Sequence, residues 1–574
     1  MHIRVSMRAG RSFSFYAMAL ILAAFLACGG RIGGAELSMA TTGSVIKVGI
    51  EADRPIGKIG YLYNVGYNGW GDITYPGMIK AFDDIGIKFC RIRVNLHHLC
   101  GERPGDYRWD YLAPEDEKMP LVQRVRKVIQ NGWTPILAFS FHGTDSDKPK
   151  WFVGDSGDSN RNSWTRYNVD GSRAVGGYGN QLDATTRIAK DVTAYFVLQG
   201  LNGLSWETIY EMDGGDPLVE IHHAVAKGIR EADASATIIG PATWPGWSAE
   251  EAFVKPYLKK YGPDLIDMVS VHWYASCDHG FWKLRDGLKE GKRIMTMADR
   301  DLMSYLMGET PGYGTQTRSL DRLLKSKALN PGGKKIGIIF TEADLNATSY
   351  YKRNPENPKW PNYSAGADCW QNTNYFGGVW WASVLCHVAS SGVEADVCKF
   401  NTRDFYGIQE VVPPGGVYRF PVWFAMKLLR DSGGLRAGRQ MLQASITGSG
   451  TSRVEAFATG NSQNVRIILI NKSFDSQVAD IAVTGLDDGS WEETSYVFDQ
   501  SRVARFQGRK PGDKNDGKFE GFPNDDSSSE QSLKPIATAA FSRKDGSVSM
   551  SAVKCPPVSF VILSLSPAKC TLTR

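Results

Sequence analysis

Past residue 27 the sequence has no apolar run of the ~18–20 residues that a spanning helix needs, so no segment there is expected to cross a bilayer. Nor is there an excess of one charge. The 66 Lys and Arg stand against 61 Asp and Glu and are spread along the chain, which excludes the basic stripe of a nucleic-acid binder. Histidine is scarce, at nine residues, and falls in two adjacent pairs, His97-His98 and His222-His223, and in isolated singles. Neighbouring side chains point apart on a strand and sit ~100° apart on a helix, so neither pair forms a joint metal ligand. The cysteine spacing matches no zinc pattern. No Gly-rich phosphate loop follows the first strand-like run, which argues against a dinucleotide site. Neither a metal nor a cofactor is expected.

Aromatic residues are plentiful, with 16 Trp and 23 Tyr; their flat faces suit the apolar faces of sugar rings, although most Trp in any protein fill core space. The N-terminus reads as an export signal. Arg4, Arg8 and Arg11 precede the apolar run Phe15–Ala27, and small residues follow from Cys28 to Ala35. Residues 1–35 are therefore expected to be removed and the protein to be secreted or periplasmic. The stretch Phe25-Leu-Ala-Cys28 also resembles a lipoprotein processing box, a lesser alternative in which Cys28 is lipidated. Of the remaining cysteines, Cys555 and Cys570 are the easiest to imagine paired, whereas Cys90, Cys386 and Cys398 lie in apolar stretches and read as buried thiols.

From residue 55 to 430, short β-like runs alternate with longer amphipathic stretches. Eight candidate strands are Tyr61–Gly66, Lys88–Val94, Thr134–Ser140, Leu204–Tyr210, Ala236–Gly240, Met268–Tyr274, Lys335–Thr341 and Ala395–Phe400. Eight such units with helical crossovers argue for an α/β fold, a closed (β/α)8 TIM barrel. Two insertions, 143–183 and 275–334, follow the third and sixth strands and are expected to wall a cleft at the C-terminal strand ends. After the helix-like Pro421–Leu429, residues 431–574 show short alternating strands that predict an accessory antiparallel β-sandwich with a polar insertion near 502–534. Residues 36–54 form a separate N-terminal segment whose Ser44–Gly49 run is expected to add a strand to that sandwich.

Two carboxylates stand at C-terminal ends of opposite barrel strands: Glu211 after the fourth and Glu342 after the seventh. Glycoside cleavage needs one carboxyl to protonate the leaving oxygen and a second to attack the anomeric carbon or activate water. A single Glu more often caps a helix or pairs with an Arg, so the argument rests on the pair. Arg91, on the second strand, is placed to hold Glu342 as a carboxylate by charge and hydrogen bonding, or else serves a structural salt bridge. Glu207 shares the strand parity of Glu211 but lies deeper and reads as part of a polar layer. Trp151, Trp164, Trp244, Trp247, Trp273 and Trp282 sit in or near top-face loops, and one or two of them are expected to stack on a sugar.

These motifs resemble glycoside hydrolase clan A, closest to families 39 and 51, over roughly residues 55–430. Trp206-Glu-Thr-Ile-Tyr-Glu-Met-Asp213 is similar to the clan's acid/base motif, which implies that role for Glu211; Phe340-Thr-Glu342 is similar to the nucleophile motif. Asp267-Met-Val-Ser-Val-His-Trp-Tyr274 resembles the sixth strand of family 39, which implies that Tyr274 hydrogen-bonds the nucleophile, with His272 on the same face. Arg91-Ile-Arg93 is similar to the clan's second strand, with Arg93 in place of its His. The chain departs from the pattern at Tyr210, where the clan has the Asn that contacts the sugar 2-OH, and at Met212, where it has Pro. The resemblance implies a retaining glycosidase acting on a poly- or oligosaccharide, with Arg91, Tyr210, His272, Tyr274 and Trp244 near the sugar. The alternative is a non-catalytic carbohydrate-binding protein on a degenerate barrel. The oligomeric state stays open.

Overall fold

The computed structural model describes residues 45–67, 73–101, 105–111, 119–140, 179–210, 212–213, 218–244, 248–275, 299–345, 375–399, 408–412, 416–448, 453–503, 530–543 and 547–568. The first strand, β1 (Ile46–Lys58), belongs to a second sheet. The apolar runs that follow supply β2 (Asn64–Tyr67), β3 (Phe89–Asn95), β4 (Thr134–Ser140), β5 (Ser205–Tyr210), β6 (Met212–Asp213), β7 (Thr237–Ile239), β8 (Thr243–Trp244), β9 (Met268–Tyr274), β10 (Gly337–Asp344) and β11 (Ala395–Lys399). Strands β2, β3, β4, β5, β7, β9, β10 and β11 pair in parallel in that order, and β11 returns to β2, closing an eight-stranded barrel. The short β6 and β8 pair with each other beyond the ends of β5 and β7.

Helices cover the outside of this ring: Pro76–Ile85, Leu121–Gln130, Gly179–Leu198, Leu218–Ala232, Lys255–Tyr261, Pro311–Leu324, Tyr375–Ala389 and Pro421–Asp431. Their boundaries follow local chemistry. Pro76 opens the first, where its missing N–H costs nothing, and Gly86 ends it in the left-handed conformation (φ 69°) with its N–H on the Asp83 carbonyl. Within the insertion 275–334, the second described helix, Pro311–Leu324, proves to be a barrel crossover: the Tyr313 hydroxyl donates to the Trp273 carbonyl at 3.1 Å from outside the ring. That part of the insertion therefore does not wall the cleft. Residues 276–298 of the insertion, and 143–178 of the earlier one, lie outside the described residues.

After a hairpin of β12 (Gln409–Val412) and β13 (Gly416–Arg419), the chain forms β14 (Gln440–Thr447), β15 (Val454–Asn461), β16 (Asn464–Asn471), β17 (Gln477–Thr484), β18 (Gly489–Phe498), β19 (Ala537–Arg543), β20 (Ser547–Cys555) and β21 (Ser559–Pro567). With β1 these make one nine-stranded sheet, ordered β19-β18-β21-β16-β15-β14-β1-β17-β20, that curls over its own core. It is mixed, because β1 and β17 run parallel while the other neighbours are antiparallel. The near-continuous apolar runs of β16 and β21 reflect burial on both faces. Val465, Ile467, Leu469, Val561, Leu563 and Leu565 enter the sheet's own core, while Ile468, Ile470, Phe560 and Ile562 join the core that surrounds the barrel.

That docking needs a glycine inside a helix. A Cβ on Gly378, in Tyr375–Ala389, would stand 2.7 Å from Phe498 Cζ, whose ring stacks on Phe560 at 4.8 Å. A polar cluster bolts the same contact: Glu455 accepts from Lys472, from Ser383 at 2.6 Å and pairs with His387 at 2.6 Å, while Lys472 also donates to the Met307 carbonyl at 2.8 Å. Against burial, which would raise it, the His387 and Lys472 contacts hold the Glu455 carboxyl below its ordinary range. The polar segment 502–534 is fastened at both ends, Arg502 donating to the carbonyls of Gln531 and, at 3.2 Å, Lys534. Cys90 is buried, and Cys100, Cys386, Cys398 and Cys555 are buried free thiols, so Cys555 is unpaired; Cys570 lies outside the described residues.

Candidate active site

Inside the barrel, apolar residues plug the end where the strands begin: Ile136, Ile239, Ile339 and Cys398, with Phe89 and Met268 against them. Above this layer the interior turns polar. Arg91, Glu207, Ser270 and Thr341 come from β3, β5, β9 and β10, and all are buried. Glu207 is saturated: one oxygen accepts from Ser270 at 2.5 Å and Thr341 at 2.6 Å, the other from Arg91 Nε at 2.8 Å and from Arg91 Nη2. A carboxylate so enclosed, with zero exposure, is part of the scaffold of the site and has no face left for a substrate.

Glu342 lies one step nearer the C-terminal ends. Arg91 Nη1 donates to its Oε1 at 2.5 Å, the Tyr274 hydroxyl donates to its Oε2, and His272 Nδ1 lies 3.3 Å from that same oxygen. The Tyr210 ring closes the group. It carries the Arg91 guanidinium at 4.5 Å and that of Arg93 at 3.8 Å on its faces, meets the His272 ring edge-on at 5.8 Å, and accepts a hydrogen bond from Arg93 at its hydroxyl. Burial opposes the charge on Arg91, but Glu207 and Glu342 hold its pKa above the ordinary value. Burial lowers His272 to about 4, with Glu342 pulling the other way, so the imidazole is neutral at ordinary pH.

Five of the seven residues singled out in the sequence, Arg91, Tyr210, His272, Tyr274 and Glu342, thus form one connected cluster. Glu211 lies outside the described residues, between Tyr210 at the end of β5 and Met212 at the start of β6, and so does the side chain of Trp244. Trp151, Trp164, Trp247 and Trp282 also fall outside. Trp273 is not a sugar platform: it points out of the ring and stacks on Tyr313 at 4.7 Å.

Backbone irregularities aim these side chains. A register shift between Phe340 and Glu342 turns both Thr341 and Glu342 inward, whereas strict alternation would send one of them out. A second shift lies where β4 meets β5: Glu207 and Tyr210 face inward, while Thr208 bonds His222 on an outer helix at 2.8 Å and Ile209 enters the surrounding core. The bulge interrupts the period of two between Glu207 and Tyr210, and Glu211, the other end of the parity argument, lies outside the described residues.

Three neighbours complete the surroundings: Arg93, noted in the sequence only as standing in place of a His, and Lys399 and Asp344, which sequence reasoning passed over. Arg93 stands two residues beyond Arg91 on β3 and braces Tyr210. Lys399 and Asp344 form a wholly buried ion pair at 2.6 Å at the ends of β11 and β10. Their signal was present, as a lysine ending an apolar run and an aspartate two places after Glu342. No group of three or more His, Cys, Asp or Glu placed to hold a metal occurs among the described residues.

No protein-family model and no curated protein sequence matches the chain. Solved structures do resemble it. A bifunctional glucanase-xylanase from a metagenome library aligns with TM-score 0.52 at 11% identity over 91% of this chain and 99% of its own. A family 44 xyloglucanase from Paenibacillus polymyxa gives 0.51 at 12% over 91% and 99%, and a structure of a xyloglucanase from that organism with xyloglucan gives 0.51 at 11% over 91% and 100%. A monomeric β-xylosidase from Caulobacter crescentus gives 0.51 at 15%, again over 91% and 99%. The likeness is one of fold: this chain has the barrel and side sheet of these clan A-like glycoside hydrolases.

Proposed function

We propose that the protein is a secreted, retaining glycoside hydrolase in which Glu342 is the nucleophile and Glu211 the acid/base. The observation that carries this reading is Glu342 itself, a carboxylate at the C-terminal end of a barrel strand, oriented by Arg91 and Tyr274. In the first step a Glu342 oxygen bonds to the anomeric carbon as the glycosidic C–O bond breaks, and Glu211 gives its proton to the leaving oxygen. In the second, Glu211 takes a proton from water, whose oxygen displaces Glu342 from that carbon. The hydrogen bonds from Arg91 and Tyr274 fix the attacking oxygen and need no rearrangement during the reaction.

The solved neighbours act on glucan, xylan and xyloglucan, which makes those polymers and their aryl glycosides the first substrates to try. The deciding experiment compares Glu342→Ala and Glu211→Ala with the parent protein on such a panel. Glu342→Ala loses all turnover while melting as the parent does. Glu211→Ala keeps the first step on dinitrophenyl glycosides, which need little protonation, and azide accelerates its second step with formation of a glycosyl azide. Near-parental turnover in Glu342→Ala sinks the assignment, and a folded parent that binds but never cleaves any member of the panel points to the binding-protein alternative.

A further inference from the structure

The segment Gly438-Arg-Gln440, entering β14, and the turn Gly460-Asn-Ser-Gln-Asn464, joining β15 to β16, bring amides, glycines and an arginine together at the ends of neighbouring interior strands of the curled sheet. Gly460 (φ 122°) is obligatory there, because a Cβ would meet the Asn464 carbonyl oxygen at 1.7 Å. Together with Pro567 at the end of β21 these residues wall a cavity of about 520 Å³, within the range of small-ligand sites. Among the described residues, no carboxylate and no aromatic ring lines it. The cavity is remote from Glu342: its floor is tied to Ile59, which precedes β2 at the end where the barrel strands begin, through Gly438 N to the Ile59 carbonyl at 2.8 Å and Ile59 N to the Arg439 carbonyl at 2.9 Å.

Two features of the lining have no structural use. Arg439 is exposed, and its guanidinium makes no ion pair or hydrogen bond among the described residues. Nearby Arg436 is paired with Asp431 at 2.9 Å, and Arg466 is spent on the Leu565 carbonyl at 2.9 Å, which leaves Arg439 as the unengaged guanidinium of the lining. Burial, with the Arg439 and Arg436 charges, lowers the pKa of Arg466, a sign of local positive potential. The second feature is a pair of amides, exposed Gln463 and half-buried Gln440, whose side chains make no hydrogen bond among the described residues. An uncompensated cation beside two unengaged amides suits a ligand that brings both an anionic group and hydroxyls.

We propose that this cavity is a second carbohydrate site that binds a uronic acid unit of an acidic polysaccharide, its carboxylate on Arg439 and its hydroxyls on Gln440 and Gln463. The choice of a sugar over other anions rests on the glycosidase reading; the cavity and its charge do not. Such a site would hold the polymer to the enzyme away from the cleft.

The test is affinity electrophoresis of the full chain carrying Glu342→Gln, in gels without polysaccharide, with neutral xyloglucan and with glucuronoxylan. Retardation by glucuronoxylan is expected, and Arg439→Ala or Gln463→Ala should weaken it at least fivefold while leaving the xyloglucan gel unchanged. In the chain with Glu342 intact, Arg439→Ala should leave turnover of a short aryl glycoside as it was. Unretarded migration in glucuronoxylan, or equal retardation of the parent and Arg439→Ala, overturns the proposal. So does release by inorganic phosphate as effective as release by free glucuronate, which would mark a general anion site. Turnover surviving Glu342→Gln would sink the glycosidase reading alone and leave the binding result standing.

Discussion

Arg91 Nη1 donates to Glu342 Oε1 at 2.5 Å from a side chain that is 2% exposed. The same guanidinium serves Glu207, so one cation compensates two buried carboxylates that come from opposite parts of the ring. Its removal would strand both.

Arg91→Met should therefore cost about 3–5 kcal/mol of stability, the usual penalty for leaving a buried charge without its partner. Arg91→Lys restores the charge but not the fork that reaches two carboxylates, and should recover part of the stability and little of the activity. Denaturant melts and turnover of an aryl glycoside check both. An Arg91→Met protein as stable as the parent would show that the charge cluster is not as described.

His272, lowered to about 4 by burial from an unfolded value of 6.5, binds its proton more readily in the unfolded chain. The stability this gives is complete above pH 6.5 and is lost as pH falls toward 4, by roughly 3 kcal/mol in all. His272→Gln should be less acid-sensitive over that window than the parent. Parallel stability curves for the two proteins from pH 7 to 4 would refute the assignment.

Glu455, held low by His387 and Lys472, contributes stability above the ordinary carboxylate range and loses it as pH falls through its lowered value. Because it joins the curled sheet to the helix Tyr375–Ala389, Glu455→Gln should lower the melting temperature at neutral pH and shrink the difference from the parent in strong acid. Limited proteolysis near residues 432–439 reads the same contact: cleavage there should quicken in the variant.

Gly378→Val should lose about 1–3 kcal/mol by overpacking against Phe498. Replacing a helical glycine gains under about 1 kcal/mol of propensity, so the clash decides the sign. Adding Phe498→Leu should return part of the loss, a coupling of more than about 0.5 kcal/mol in a double-mutant cycle. Strict additivity would place the collision elsewhere.

The amino-acid sequence by itself determined the eight barrel strands to within a few residues, the change to a second sheet after Pro421–Asp431, and Glu342 at a strand end. Those features are local: apolar runs of strand length, helical periodicity and turn residues are written over ten or so neighbours. Only the tertiary structure decided that Thr341 and Glu342 both face inward, that Ile209 turns out while Tyr210 turns in, and that Trp273 packs on Tyr313. It also decided that β1 lies parallel to β17 and that Pro311–Leu324 is a crossover. A bulge is set by the strand across from it, and a buried charge by partners such as Glu207 and Glu342, which stand 116 and 251 residues from Arg91 along the chain. Such facts depend on which distant segments meet, and a pattern of period two or 3.6 carries no record of them.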